Sequence, residues 1–191
     1  MQLNYNELKP GTLLRFNGDP YEVLEYDFLR MQQRKPVAQV KMRNIITGNT
    51  QNHTFHQSDK IEAAEISYNK IKYLYLNKGE YWFCEENNPK NRFSLKESIV
   101  KDKMDFIKSN SLIEASMYDE KIIGVRIPIK VELKITEAPP GIKGDTAQGG
   151  TKQAKVETGA TINVPLFINQ DDIIKVNTET RSYIERAEKA N

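Results

Sequence analysis

The amino-acid sequence predicts a mainly β protein made of three small modules, each a barrel or a sandwich. Polar and apolar residues alternate along most of the chain, as they do in half-buried strands. Clusters of Gly, Asn, Asp and Pro interrupt this alternation at short intervals, which is typical of antiparallel strands rather than a parallel sheet. The length of 191 residues is enough for two or three such modules.

The first module is predicted from the start of the chain to a little beyond His56. Two alternating stretches, residues 12–16 and 21–26, flank the turn cluster Asn17-Gly18-Asp19-Pro20. A long hairpin follows, and after a turn at residues 46–49 another strand ends near His56.

The hairpin, FLRMQQRKPVAQVKMR at residues 28–43, carries unusual charge and an unusual tip. Its tip contains no Gly, Asn or Asp, although tight two-residue turns need such residues at positive φ. No acidic residue occurs from residue 28 to 58, whereas the cations there are Arg30, Arg34, Lys35, Lys41 and Arg43. A local positive surface can contact phosphates even though the net charge is only +2. The alternative is a solvated hairpin face without a partner.

The second and third modules follow the same pattern. The second is predicted from strands at 66–76, 81–83, 112–117 and 122–127. Its one helix is predicted within 95–108, because Ser94-Leu-Lys-Glu97 forms a capping-box pattern before an apolar run. The third is predicted from strands at 129–135, 154–156, 161–168 and 173–176, and ends near Arg186.

Residues for catalysis or metal binding are scarce. His53 and His56 are the only histidines, and on a strand they point to opposite faces, so no metal site is predicted. Phosphate-loop and nucleophile-elbow motifs are absent, which argues against an enzyme and against a cofactor. A single cysteine, Cys84, excludes an internal disulfide and favours a reducing cytoplasm. No apolar run approaches the roughly 20 residues that would cross a membrane.

A glycine-rich stretch, PGIKGDTAQGG at residues 140–150, is a second candidate site. Its glycines allow the backbone to approach a partner closely, and Lys143, Asp145 and Thr146 offer a charge, an acceptor and a hydroxyl. Such a loop can hydrogen-bond sugars or bases. The alternative is a wide connection across the end of a barrel.

Several segments resemble the bacterial translation elongation factor P family. The resemblance rests on PGIKGDTAQGG, TGATINVPLFI and IIKVNTETRSYIER, and on NELKPGTLLRFNGDPYEVLEY and VKMRNIITG near the start. It implies a KOW/SH3-like N-terminal domain at 1–63 and two OB-fold domains at 64–127 and 128–191. It also implies an L-shaped mimic of tRNA that acts as a cytoplasmic monomer.

The resemblance implies a function without catalytic groups. Members bind the 70S ribosome between the P and E sites, contacting the P-site peptidyl-tRNA and the E-site mRNA codon. They stimulate peptide-bond formation at consecutive prolines, whose ring restricts the attacking amine and the nascent chain. The alternative within this fold is a general OB-fold RNA-binding protein that has lost the rescue activity.

The family's functional tip departs from its usual pattern here. Members carry Pro-Gly-Lys-Gly or Pro-Gly-Arg-Gly, whose central residue is often modified, facing the CCA end of the P-site tRNA. In this chain the tip comprises Gln32, Gln33, Arg34 and Lys35. A gapless alignment places Gln33 at the tip, whereas a one-residue shift places Arg34 there. We expect an unmodified tip with Arg34 as the main RNA contact.

Arg30, Lys41 and Arg43 form the basic flank of the hairpin, which would suit tRNA phosphates. Other positions can be carried over from the family by alignment. Gly144, Asp145 and Thr146 would contact the E-site codon, and Tyr183 and Arg186 would face the small subunit. The turn before them differs, because Glu179-Thr-Arg181 stands where an Arg and a Gly are usual.

Overall fold

The computed structural model describes residues 1–30, 35–140 and 150–190. Within these ranges the chain forms sixteen β-strands and one short helical segment, and the strands make three sheets. The predicted mainly β architecture with three sheet domains is therefore confirmed. In the part of the chain that the structure describes, no helix is long and apolar enough to cross a membrane.

The first sheet has the strand order β1-β6-β2-β3-β4-β5. Its strands are β1 (Gln2–Leu3), β2 (Leu13–Phe16), β3 (Asp19–Leu29), β4 (Val37–Asn44), β5 (Thr50–His56) and β6 (Ile61–Ala63). Apolar side chains from alternating positions meet in one core, whose buried members include Leu14, Val23, Val40 and Met42. The two shortest strands, β1 and β6, were not predicted because two or three residues are too few to show an alternation.

The basic hairpin is formed by β3 and β4, which pair antiparallel from Tyr21↔Asn44 to Leu29↔Val37. The register shifts between Val23 and Glu25, which makes Leu24 the extra residue of a bulge on β3. Strand β5 pairs along the other edge of β4. The hairpin is therefore part of a sheet and not an isolated ribbon.

The second sheet has the order β11-β10-β7-β8-β9. Its strands are β7 (Ser67–Asn77), β8 (Glu80–Glu85), β9 (Arg92–Lys96), β10 (Leu112–Tyr118) and β11 (Lys121–Arg126). Between β9 and β10 lie one α-helical turn, α1 (Glu97–Val100), and a 3₁₀ helix (Lys101–Phe106).

The helix predicted within 95–108 is present as α1 and the 3₁₀ helix, but the predicted capping box at Ser94 was wrong. Ser94 lies inside β9, opposite Trp82, and the helix begins only at Glu97. The physical reason is the alternation of Phe93, Ser94 and Leu95, in which Leu95 is buried, so that pairing with β8 prevails over the local capping signal.

The third sheet has the order β14-β13-β12-β15-β16. Its strands are β12 (Lys130–Glu137), β13 (Thr151–Val156), β14 (Thr161–Pro165), β15 (Ile173–Asn177) and β16 (Ser182–Glu188). Leu133, Ile135, Val164 and Ile174 are fully buried in its core, and Phe106 from the 3₁₀ helix packs into the same cluster.

By backbone contacts the chain divides into two compact units. One comprises Met1–Asn69 with Ser116–Gly124, and the other comprises Lys70–Ala115 with Val125–Asn191. The second unit contains most of the second sheet and all of the third. The three-domain boundaries at 63/64 and 127/128 stay predictions from the sequence.

Candidate nucleic-acid interface

The basic hairpin brings two exposed cations to the end of its paired strands. Arg30 follows β3 directly, and Lys35 comes two residues before β4. Both side chains are exposed, and neither forms an ion pair with any residue that the structure describes. The predicted tip residues Gln32, Gln33 and Arg34 lie outside the described residues.

The two remaining flank cations are paired within the sheet. Lys41 Nζ lies 2.7 Å from Glu25 Oε1, and Arg43 donates a hydrogen bond of 2.7 Å to Glu22 Oε2. The strand register explains both pairs, because Glu25 stands opposite Lys41 and Glu22 opposite Arg43. The charges of Lys41 and Arg43 are thus compensated by acids of β3, whereas Arg30 and Lys35 are described cations of the hairpin without such a partner.

Sequence reasoning missed these pairs because it considered only residues 28–58. The acids come from the preceding part of β3, outside that window. Glu22 and Glu25 could have been found by extending the hairpin backwards through residues 21–26 and matching each acid to a cation across the turn.

The last paired residues of the hairpin are Leu29 and Val37. In sequence, Gln33 stands four positions from each of them, and Arg34 follows it. Both candidate tip residues lie outside the described residues, so the choice of Arg34 as the main contact stays a prediction from its charge.

Two aromatic residues of β3, Tyr26 and Phe28, lie near Tyr5. Phe28 is 45% exposed and its ring centroid lies 6.1 Å from that of Tyr5. Burial, and then the neighbouring Tyr5, raises the pKa of the Tyr26 phenol, which therefore stays neutral at physiological pH.

His53 belongs to the aromatic packing of the first sheet. Its ring packs against Phe55 at 4.5 Å and Phe16 at 4.7 Å, between ring centroids. His56 is exposed three positions further along β5. Among the described residues no group of His, Cys, Asp and Glu is arranged to hold a metal ion.

The glycine-rich loop joins β12 to β13, after Glu137 and before Thr151. Its predicted codon-contacting residues Gly144, Asp145 and Thr146 lie outside the described residues. The strands on either side of the loop belong to one sheet, since β12 and β13 pair through Ile135↔Val156.

Tyr183 and Arg186 both lie on β16 of the third sheet. Tyr183 is partly buried against the core, and the Arg186 guanidinium lies 3.5 Å from Asp172 Oδ2 and 5.4 Å from the centroid of the Phe167 ring. The ion pair and the cation–π contact hold this guanidinium in a defined position at the surface.

Asp172 is a buried carboxylate, with its side chain 1% exposed. Burial by itself raises the pKa of this carboxyl. Hydrogen bonds from the backbone N–H groups of Asn169 (2.9 Å) and Ala190 (2.8 Å) and the charge of Arg186 outweigh that effect, so the pKa is lowered overall. Asp172 therefore stays ionised and ties the end of the chain to the turn before β15.

The atypical turn between β15 and β16 has a structural counterpart that sequence reasoning missed. Arg181, the last residue of the Glu179-Thr-Arg181 stretch, adopts a φ of 54°. Its guanidinium forms an ion pair with Asp105 and lies 5.2 Å from the centroid of the Phe106 ring. The backbone of Arg181 thus has a left-handed conformation that glycine adopts most easily, and its side chain links the β15–β16 turn to the 3₁₀ helix.

Comparison with known proteins agrees with this architecture. Residues 4–61 match the family model "Elongation factor P (EF-P) KOW-like domain", and residues 131–186 match "Elongation factor P, C-terminal". An elongation factor P from Hydrogenobaculum sp. is 36% identical over 189 residues, covering 99% of this chain and 97% of the relative. One from Moorella thermoacetica is 36% identical over 185 residues, covering 97% of this chain and 100% of the relative.

The chain belongs to the elongation factor P family. The family resemblance predicted from the sequence is confirmed, and the protein is a translation elongation factor. Among solved structures, eukaryotic translation initiation factor 5A from Methanococcus jannaschii superposes with a TM-score of 0.54. It has 17% identity and covers 66% of this chain and 94% of that one. That likeness shows a shared fold.

Proposed function

We propose that this elongation factor P binds the 70S ribosome between the P and E sites and speeds peptide-bond formation at consecutive prolines. The observation that carries the proposal is the match to relatives named elongation factor P over 99% of the chain. The contacts would be the P-site peptidyl-tRNA through the hairpin tip and the E-site codon through the loop containing Gly144, Asp145 and Thr146. Tyr183 and Arg186 would face the small subunit.

The mechanism is positioning and not acid–base catalysis. Proline attacks poorly because its ring constrains the amine and the nascent chain. A factor that holds the peptidyl-tRNA in a productive pose lowers the entropic part of the barrier and needs no catalytic side chain. The proposed role is therefore that of a cytoplasmic, monomeric factor without enzymatic turnover and without a cofactor.

The geometry of the hairpin supports this role. Strand β3 has 11 residues and so spans roughly 35 Å. Its far end carries Arg30 and Lys35, which have no ion-pair partner among the described residues and suit tRNA phosphates. The paired cations Lys41 and Arg43 make weaker contacts, because binding phosphate would require breaking their pairs with Glu25 and Glu22.

The tip is proposed to work unmodified. Gln33 and Arg34 can both hydrogen-bond RNA without an added group, and Arg can also stack on bases. Lys35 would support them by charge, and Gln32 would lie beside them. No Pro-Gly-Lys-Gly frame is present for an enzyme that modifies lysine between glycines.

A reconstituted translation system tests the proposal. Adding the protein should raise the full-length yield of a reporter with three consecutive prolines and leave a proline-free reporter unchanged. Replacing both Asp145 and Thr146 with Ala should weaken this benefit, whereas the matched control Thr151→Ala, exposed at the start of β13, should not. Equal effects on both reporters, or RNA binding without any reporter effect, would overturn the proposed function.

A further inference from the structure

The outer face of β7, β8 and β9 displays a pair of stacked aromatic rings. Tyr75 and Trp82 stand opposite each other in the register, with ring centroids 6.2 Å apart and planes inclined by 23°. Tyr75 is 43% exposed and Trp82 is partly exposed. Core packing does not account for this pair, because the buried rings Tyr73 and Phe83 lie on the opposite face of the same strands.

The strand register places cations on both sides of the aromatic pair. In an antiparallel sheet, directly opposed residues share a face. One neighbouring row holds Lys72 and Arg92, opposite the buried Cys84, and the row on the other side holds Lys96 opposite Glu80. We call this surface the Trp82 face; it comprises Lys72, Tyr75, Trp82, Arg92, Ser94 and Lys96.

The three cations of this face have no ion-pair partner among the described residues. Within the described residues no ion pair involves Lys72, Arg92 or Lys96. Two cations of the third sheet, by comparison, are paired across strands, Lys155 with Glu137 and Lys175 with Glu185. Glu80 is the one carboxylate on the three rows. The face therefore combines exposed stacking rings with uncompensated positive charge.

We propose that the Trp82 face binds unpaired RNA, with bases stacking on Tyr75 and Trp82 and phosphates contacting Lys72, Arg92 and Lys96. Stacking on aromatic side chains beside a basic groove is the way in which proteins hold single-stranded nucleic acid. In OB-fold domains, the face around the second and third strands is also the usual oligonucleotide site. In the second sheet, the second and third strands in chain order are β8 and β9. The proposal goes beyond the function proposed above, since it uses no residue of the tip or of the glycine-rich loop.

Trp82 is the only tryptophan of the chain, so its fluorescence reports on this face alone. Titrating the full-length protein with an unstructured ten-nucleotide RNA should quench Trp82 emission. Inorganic polyphosphate of matched charge should not quench it, because it offers no base to stack. Raising salt from 50 to 200 mM should weaken RNA binding roughly twentyfold if all three cations contact phosphates.

Variants separate stacking from charge. Tyr75→Leu should weaken binding roughly tenfold, while Tyr75→Phe, which keeps the ring, should bind like wild type. Arg92→Gln should lower the affinity, whereas the matched control Lys155→Gln, which removes a paired cation of the third sheet, should not. Unchanged Trp82 emission, equal quenching by polyphosphate, or wild-type affinity in Tyr75→Leu would each overturn the proposal. None of these outcomes depends on the ribosome, so they are distinguishable from a failure in the translation reporter.

Discussion

The cations of the basic hairpin that the structure describes fall into two groups. Lys41 and Arg43 are compensated by Glu25 and Glu22, whereas Arg30 and Lys35 have no ion-pair partner among the described residues. The run of positive charge could be predicted from the sequence. Which of these cations are paired with acids could not, because that depends on which acids of β3 stand opposite which cations of β4.

For the tip we predict that Arg34→Ala reduces consecutive-proline rescue by roughly tenfold to a hundredfold. An Arg offers five donors in a rigid fork, and losing a charge-assisted contact costs about 1.5 to 3 kcal/mol. The matched control Arg43→Ala should have a small effect, because that guanidinium is already paired with Glu22. Concentration-dependent rescue of a triple-proline reporter measures this.

Gln33 is the alternative tip residue, and its substitution gives the result that would contradict this prediction. If Gln33→Ala loses rescue while Arg34→Ala retains it, the gapless alignment is right and Arg34 is not the main contact. An added mass on Gln33, Arg34 or Lys35 in protein from its native host would contradict the unmodified tip.

A second prediction for a single residue concerns the contribution of Asp172 to stability. Asp172→Asn should lower the free energy of unfolding by about 2 kcal/mol at neutral pH, because two backbone donors and Arg186 lose a charged acceptor. The adjacent Asp171→Asn is the matched control. Asp171 is exposed, pairs with Lys134 at the surface, and has a φ of 70° that Asn tolerates, so a change within about 0.5 kcal/mol is expected.

The pH dependence follows from the sign of the shift. The folded-state pKa of Asp172 is lowered, so its contribution is fully present above the unfolded pKa of about 3.9. It is lost as pH falls through the lower folded-state pKa. Urea unfolding should therefore show the difference between wild type and Asp172→Asn shrinking on acidification below about pH 4. A constant difference across that range would rule out the ionised carboxylate as its cause.

The β15–β16 turn shows how one element can keep its shape with an unusual residue. Arg181 holds a left-handed conformation that costs a non-glycine residue about 1 to 2 kcal/mol. Its ion pair with Asp105 and its contact with the Phe106 ring offset part of this cost. We therefore expect Arg181→Gly to change the free energy of unfolding by less than about 1 kcal/mol.

A double-mutant cycle separates the cost of the left-handed backbone at Arg181 from the stabilisation by its ion pair with Asp105. Asp105→Asn should destabilise the wild type by about 0.5 to 1 kcal/mol and leave Arg181→Gly unchanged, since the partner is then absent. Thermal or urea unfolding of the four proteins gives the coupling energy. No coupling would mean that the ion pair does not hold the turn.

Some elements could be predicted from the sequence and others could not. The alternation at residues 129–135 predicted β12, because a long period-two run has no competing interpretation. The capping-box pattern at Ser94 misled because β9 is only five residues long and its alternation overlaps the cap. The link from Arg181 to Asp105 spans 76 positions in sequence, so no local pattern could have revealed it.

At the scale of the whole molecule, the family is recognisable over nearly the full length, although the tip motif is altered. Alignment carried over the loop and C-terminal positions. It gave no information on the Trp82 face, whose aromatic pair and unpaired cations become apparent only through the register of β7, β8 and β9. The proposal that this face binds RNA therefore rests on the strand pairing.

In the proposed mechanism the protein accelerates prolyl transfer by positioning the peptidyl-tRNA and supplies no acid or base. The most direct test is the rate constant of a single Pro–Pro bond on purified ribosomes, measured with and without the protein across a range of pH. We expect the rate constant to rise and saturate with protein concentration, its pH dependence to stay unchanged, and a phenylalanine pair to show no acceleration. An unchanged Pro–Pro rate, equal acceleration of both pairs, or a new titration in the rate profile would contradict the claim.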